Sequence, residues 1–152
     1  MNNRGFTVVE LIAAFSITMV ISLLLFELLI EVKDIFVETT IKTSIQQKTA
    51  IISKNINSLF KKTNNSVSCN SNTSCLINEK NIIINHSEDK KAPDYIIVGT
   101  QKFTMPKDGD TFVKINNPNL NIVEEGIIKI SFKMTSNNLS IPYDYNIVFY
   151  YN

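Results

Sequence analysis

The sequence predicts an α+β protein. One long N-terminal α-helix, with a membrane-spanning half and an amphipathic half, packs on a small antiparallel β-sheet head. Three observations predict it. After Gly5 no glycine or proline occurs until Pro93, so helix breakers are confined to the later part of the chain. From Leu11 to Phe26 no residue is charged. Finally, Ile128, Ile130, Phe132 and Met134 alternate with Lys129, Ser131 and Lys133, the period of a half-buried antiparallel strand.

The 152 residues suffice for one modest domain plus an anchor. A net charge of +1 gives no electrostatic reason to expect nucleic acid as a specific ligand. A hydrophobic content of 44% is not that of a disordered chain.

The anchor comes first. Leu28, Leu29 and Ile30 extend the apolar run beyond Glu27, and about 20 residues of helix cross a hydrocarbon core of about 30 Å. The run is apolar on every side, as a spanning helix is. The short positive flank ending in Arg4 belongs on the cytoplasmic side, which leaves the C-terminal bulk outside. Cleavage of an ordinary secretory signal needs small residues just beyond the apolar core. Here Leu23 to Phe26 and Leu28 to Ile30 are large, and Ala13 and Ala14 come too early. Glu10 stands at the head of the run, where an unpaired carboxylate is costly. Phe6 lies four residues before it, on the same helix face.

The stem follows. Ile41, Ile45, Ile52, Ile56 and Leu59 or Phe60 recur at helical spacing between polar residues such as Lys42, Gln46, Lys48 and Lys54. Their expected role is packing under the head. Lys61, Lys62, Asn64 and Asn65 suit a helix end near Lys62.

In the head, strands are predicted at residues 81–85, 95–98, 111–115, 127–134 and 146–151 from their β-branched and aromatic content. Turns are predicted at 92–94, 107–110, 116–119 and 125–126. Cys69 and Cys75 flank a polar loop, Asn70 to Ser74, on the side of the membrane where disulfides persist. A bridge, favoured over two free thiols, would contribute about 2 kcal/mol by restricting the unfolded chain. A zinc site needs about four ligands, which one histidine, His86, and two cysteines do not supply.

No catalytic constellation is visible. His86 lies in a polar turn, and Glu124 and Glu125 would point to opposite faces of a strand. Asp108-Gly109-Asp110 reads as a turn, with too few oxygen ligands for a calcium loop.

Gly5-Phe6-Thr7-Val8-Val9-Glu10, followed by Leu11-Ile12, resembles the leader junction of type IV prepilins and type II secretion pseudopilins. The resemblance implies that a membrane-embedded aspartyl prepilin peptidase cuts between Gly5 and Phe6. Phe6 then becomes the N-methylated first residue, and Glu10 the fifth of the mature chain. It also implies that the Phe6 amine pairs with the carboxylate of Glu10, its own or preferably a neighbour's, to set the register of subunit assembly. Many pilins carry a proline partway along this helix. Here there is none, and Glu27 occupies the neighbourhood, more as a boundary residue in water than as an assembly partner.

The implied organisation is a leader at 1–5, a transmembrane half at 6–30, an amphipathic half at 31–62 and a head at 63–152. The implied function is structural: a minor pilin or pseudopilin of a type IV pilus, type II secretion or competence filament. The resemblance implies no enzymatic activity and no cofactor. It implies the prepilin peptidase, other pilin subunits and membrane lipid as partners. The implied location is the cytoplasmic (inner) membrane, as a single-pass protein with its head outside, then the filament at the cell surface. The stem Ile52 to Leu59 and the closing Tyr145 to Asn152 resemble J-type pseudopilins, without their usual arginine before the final Asn, and favour a minor component. The alternative is a bitopic, membrane-anchored extracellular binding protein, for which Gly5 and Glu10 would be coincidence.

Overall fold

The computed structural model describes residues 7–61 and 64–151. The chain divides into two units, Met1–Val37 and Glu38–Asn152, and α1 (Val8–Asn57) contributes to both.

Every residue from Thr7 to Phe36 is exposed, and the apolar window is 0% buried with a mean hydropathy of 2.4. By length and composition this helix can cross a membrane once. Its hydroxyls need no water. Ser16, Thr18 and Ser22 donate to the carbonyls of Ile12, Ala14 and Thr18 at 2.9, 2.8 and 2.8 Å. Back-bonding of this kind satisfies a polar side chain where lipid cannot.

The second unit contains the rest of α1 and three antiparallel sheets. β1 (Val67–Ser71), β2 (Ser74–Ile77), β3 (Lys80–Asn85), β4 (Tyr95–Val98) and β5 (Gln101–Thr104) form a meander in that order. β6 (Lys107–Asp108) and β7 (Thr111–Phe112) make a small hairpin. β8 (Lys114–Glu124), β9 (Ile127–Thr135) and β10 (Tyr143–Tyr150) form a three-stranded sheet in the order β10-β9-β8. The predicted α+β class, a long helix on antiparallel sheets, is the architecture found.

The predicted isoleucine stripe is buried. Ile41, Ile45, Ile52 and Ile56 are joined on that face by Thr49, whose hydroxyl donates back to the Ile45 carbonyl at 3.0 Å. Opposite them the alternating row Ile128, Ile130, Phe132 and Met134 is buried as the β9 pattern requires, along with Tyr145 and Phe149 of β10. Each such side chain stabilises the fold by about 1.5–3 kcal/mol. The Ser53 hydroxyl and the Tyr145 phenol are 2.7 Å apart, which supplies the buried phenol with a polar partner. Burial pushes the Tyr145 pKa up, and the bond to Ser53 only partly opposes it.

Four expectations need correction. The helix ends at Asn57, before the predicted end near Lys62. There the ladder tightens, with Leu59 and Phe60 donating to the carbonyls of Ile56 and Asn57. The Asn78 amide then takes the Leu59 carbonyl at 2.8 Å, and Phe60 stacks on Phe149 and Tyr151. The predicted strand 111–115 is broken at Val113, whose N–H donates to the Pro106 carbonyl instead of a ladder. The predicted turn 116–119 lies inside β8. A register shift between Asn116 and Asn119 absorbs Pro118, which has no N–H to give. The polar segment around the cysteines is the β1–β2 hairpin, with Cys69 directly opposite Cys75.

Gly126 turns β8 into β9 at φ +87°, and a Cβ there would lie 2.9 Å from the Tyr151 carbonyl oxygen. Gly109 turns β6 into β7 at φ +58° with open space around it. Gly126→Ala is therefore expected to lower the unfolding free energy by about 1–3 kcal/mol, and Gly109→Ala by only about 1 kcal/mol. Denaturant titration of the detergent-solubilised protein checks this. Equal losses for the two variants would contradict the close approach.

Candidate functional site

Of the residues the sequence singles out, Gly5 and Phe6 lie outside the described residues. Glu10 is in the first turn of α1. There the Thr7 N–H and hydroxyl both donate to Glu10 Oε2 at 2.9 Å, and the Glu10 N–H donates back to the Thr7 hydroxyl at 3.3 Å. The Thr7 carbonyl accepts the first helical bond, from Leu11. This is a capping box: Thr7 starts the helix, and the Glu10 carboxylate satisfies an amide that has no helical partner. The carboxylate also complements the positive end of the helix dipole. The spacing Thr-x-x-Glu before an apolar run is a readable signal for this box, and sequence reasoning passed over it. Both bonds to the carboxylate use Oε2.

Cys69 and Cys75 are joined in a disulfide, as favoured from topology. Their strands form one edge of the meander, next to β8. The Leu120 N–H of β8 donates to the Asn72 carbonyl at the hairpin tip at 2.9 Å, so the bridged hairpin also ties the two large sheets together.

Two buried carboxylates organise the loops of the head, and no local signal in the sequence identifies either. Asp94 is fully buried just before β4. Its Oδ1 accepts from the Ser87 N–H at 2.8 Å and the Lys114 ammonium at 3.1 Å, and its Oδ2 from the Ile115 N–H at 2.7 Å. Lys114 also donates to the carbonyls of Ser87, Asp89 and Ala92 at 3.2, 2.6 and 2.6 Å. An ammonium is thus wrapped by the Ser87–Asp94 loop and neutralised by its last residue. Removing one member of such a pair costs about 3–5 kcal/mol.

Asp108, expected in a turn, is instead buried at the end of β6. It accepts from the Ser136 hydroxyl, from the Asn138 side-chain amide and, at 3.1 Å, from the Asn138 N–H. Only Gly109 and Asp110 form the turn itself. Burial pushes the Asp108 carboxyl up, but the hydrogen bonds from Ser136 and Asn138 together outweigh it, and its pKa lies below the usual carboxylate value. Further along this loop, the Ser140 hydroxyl donates to Glu38 at 2.6 Å, and Lys42 lies 3.1 Å from the same oxygen. These two donors, Ser140 first, hold the half-buried Glu38 carboxyl below its ordinary pKa.

His86 is exposed just before the Ser87–Asp94 loop, Glu124 ends β8 and Glu125 lies in the turn to β9. Among the described residues, no three of His, Cys, Asp and Glu gather as metal ligands. An open groove of about 390 Å³ at one end of the meander is lined by Asn55, Ser58, Glu79, Lys80, Gly99 and Gln101, among others. Its amides and hydroxyls can exchange hydrogen bonds, but it pairs no nucleophile with a base. No protein-family model matches the chain, and no curated protein or solved structure is significantly similar to it.

The depressed Asp108 pKa fixes the direction of a pH effect. The stabilisation is complete above the unfolded-state value and is lost as pH falls through the lower folded value. Asp108→Asn is expected to be less stable than the wild type at pH 7 by about 1–3 kcal/mol. The gap should close only in strong acid, below the ordinary carboxylate value of 3.8. Denaturant midpoints measured across that range check it.

Proposed function

We propose that this chain is a type IV pilin-like structural subunit, a minor pilin or pseudopilin. It is made as a precursor, cleaved after Gly5 by a prepilin peptidase and methylated on Phe6. It is held once in the cytoplasmic membrane with its head outside, then drawn into a pilus, secretion or DNA-uptake filament. It is a substrate of the peptidase and not itself an enzyme.

The observation that carries this reading is the junction Gly5-Phe6 followed by Glu10 at the head of an apolar helix. Three features support it. The helix is long enough to span a membrane and its hydroxyls are bonded internally. The capping box starts the helix one residue after Phe6, so cleavage at Gly5 would remove only residues that precede it. Glu10 keeps Oε1 outside the box, an acceptor that suits an α-amine from a neighbouring subunit. The cap and the amine then share one carboxylate, and the charge in the apolar environment has a partner.

The mature N-terminus tests the reading. Mass spectrometry of protein purified from its own cells is expected to find methylated Phe6 first. Gly5→Leu should leave an uncleaved precursor, as should loss of the peptidase. An N-terminus at Met1 in the wild type, or normal processing of Gly5→Leu, would overturn it.

The two roles of Glu10 separate in a pair of variants. Glu10→Gln keeps an acceptor for the Thr7 N–H but removes the charge, whereas Thr7→Val removes the cap and keeps the charge. Thr7→Val should weaken the helix start by about 1 kcal/mol yet still assemble. Glu10→Gln should be processed and remain in the membrane but fail to crosslink with other subunits. The reverse result would make Glu10 a cap alone.

A further inference from the structure

The three-stranded sheet has one open edge. In the order β10-β9-β8, β10 has a single neighbour. Its eight residues pair with β9 without a bulge, from Tyr143 opposite Met134 to Tyr150 opposite Ile127. Half of the backbone N–H and C=O groups of an edge strand face away from the sheet. Among the described residues, no group outside β9 bonds the backbone of Tyr143–Tyr150.

The other edges are blunted. β8 carries Pro118 and two register shifts, and its Ile115 and Leu120 amides are taken by Asp94 and by the Asn72 carbonyl. β1 is interrupted between Cys69 and Ser71. β5 has only four residues, one of them Lys102. Short length, bulges, lysine and proline are how proteins keep sheet edges from pairing. β10 has no glycine, proline, lysine or bulge.

We propose that β10 is a strand-addition edge for an extended segment of another polypeptide. The segment runs antiparallel to β10 and places apolar residues opposite Tyr150 and Val148 and a basic residue opposite Asp144. The backbone sets the class of partner, because only an extended chain supplies donors and acceptors at the repeat of a ladder. The side chains set its character. Asp144, Asn146, Val148 and Tyr150 are exposed on one face, and Tyr150 retains 77% of its surface in solvent. Cross-strand neighbours favour apolar pairs and opposite charges. Asp144 is the single charge on β10, and its contact with Lys133 is long, 3.8 Å, between two exposed side chains. The inference does not depend on whether the chain enters a filament.

Hydrogen exchange on the full-length protein in detergent micelles tests it. The probe is a capped peptide, Val-Thr-Val-Thr-Asn-Thr-Lys, at millimolar concentration. Two controls are N-methylated on one or the other alternate set of residues, and a third carries Glu in place of Lys. Without peptide, alternate amides of β10 should exchange freely. With it they should slow at least about tenfold. One methylated control should lose the effect and the other keep it. The Glu peptide should protect less, and Asp144→Lys should invert that preference. Four results would overturn the proposal: outward amides already protected without peptide, protection that rises with protein concentration through a second copy, equal effects of the two methylated controls, or no protection by the probe.

Discussion

The head is built around an apolar core that includes the face of α1 with Ile41, Ile45, Ile52 and Ile56, the inner row of β8, β9 and β10, and the buried residues of β2, β3 and β4. A sheet that is apolar on one face must bury that face against another element. The helix supplies the apolar surface that it needs. Replacing Ile45 by Ala inside this core would remove about 2–5 kcal/mol, a large part of the stability of a domain this size. The end of the helix depends on the same core, since Phe60 must leave the helical path to stack on Phe149 and Tyr151 at the edge of the sheet.

Acidic residues work as fasteners in each unit. Glu10 closes the start of α1 on Thr7. Asp94 gathers a charged loop around Lys114, and Asp108 ties the β6–β7 hairpin to the segment between β9 and β10. Each carboxylate meets donors fixed by the chain's own backbone or side chains, the condition under which a buried charge is tolerated.

What the sequence made legible was whatever obeys a short period. The isoleucine stripe repeats on one helix face, and β9 alternates strictly, so both could be read from residue type alone. The disulfide followed from the expected topology. Several of the failures involve partners distant along the chain. Asn116 to Asn119 has the local chemistry of a turn, but pairing with β9 holds it in a strand and a bulge absorbs the proline. The cysteine hairpin is too polar to look like a strand, and it is set by pairing with β3 and by its cross-strand bridge. The helix stops early because Asn78, on the β2–β3 turn, captures the Leu59 carbonyl. Asp94 and Lys114 meet only once the meander and β8 are in place. The Thr7–Glu10 box, by contrast, is local and legible in the spacing Thr-x-x-Glu.

α1 has two characters: apolar on all sides in its first part, one-sided in its second. Spin labels placed singly along Val8–Asn57, in protein reconstituted into lipid bilayers, test it most directly. Oxygen reports contact with lipid, and a water-soluble nickel chelate reports contact with solvent. The expected result is that labels up to about Ile30 meet oxygen on every face and are shielded from nickel. Beyond Glu38, nickel accessibility should rise and fall with the helical period, with minima at Ile41, Ile45, Ile52 and Ile56. Nickel reaching one face throughout Val8 to Ile30, or no period beyond Glu38, would contradict it.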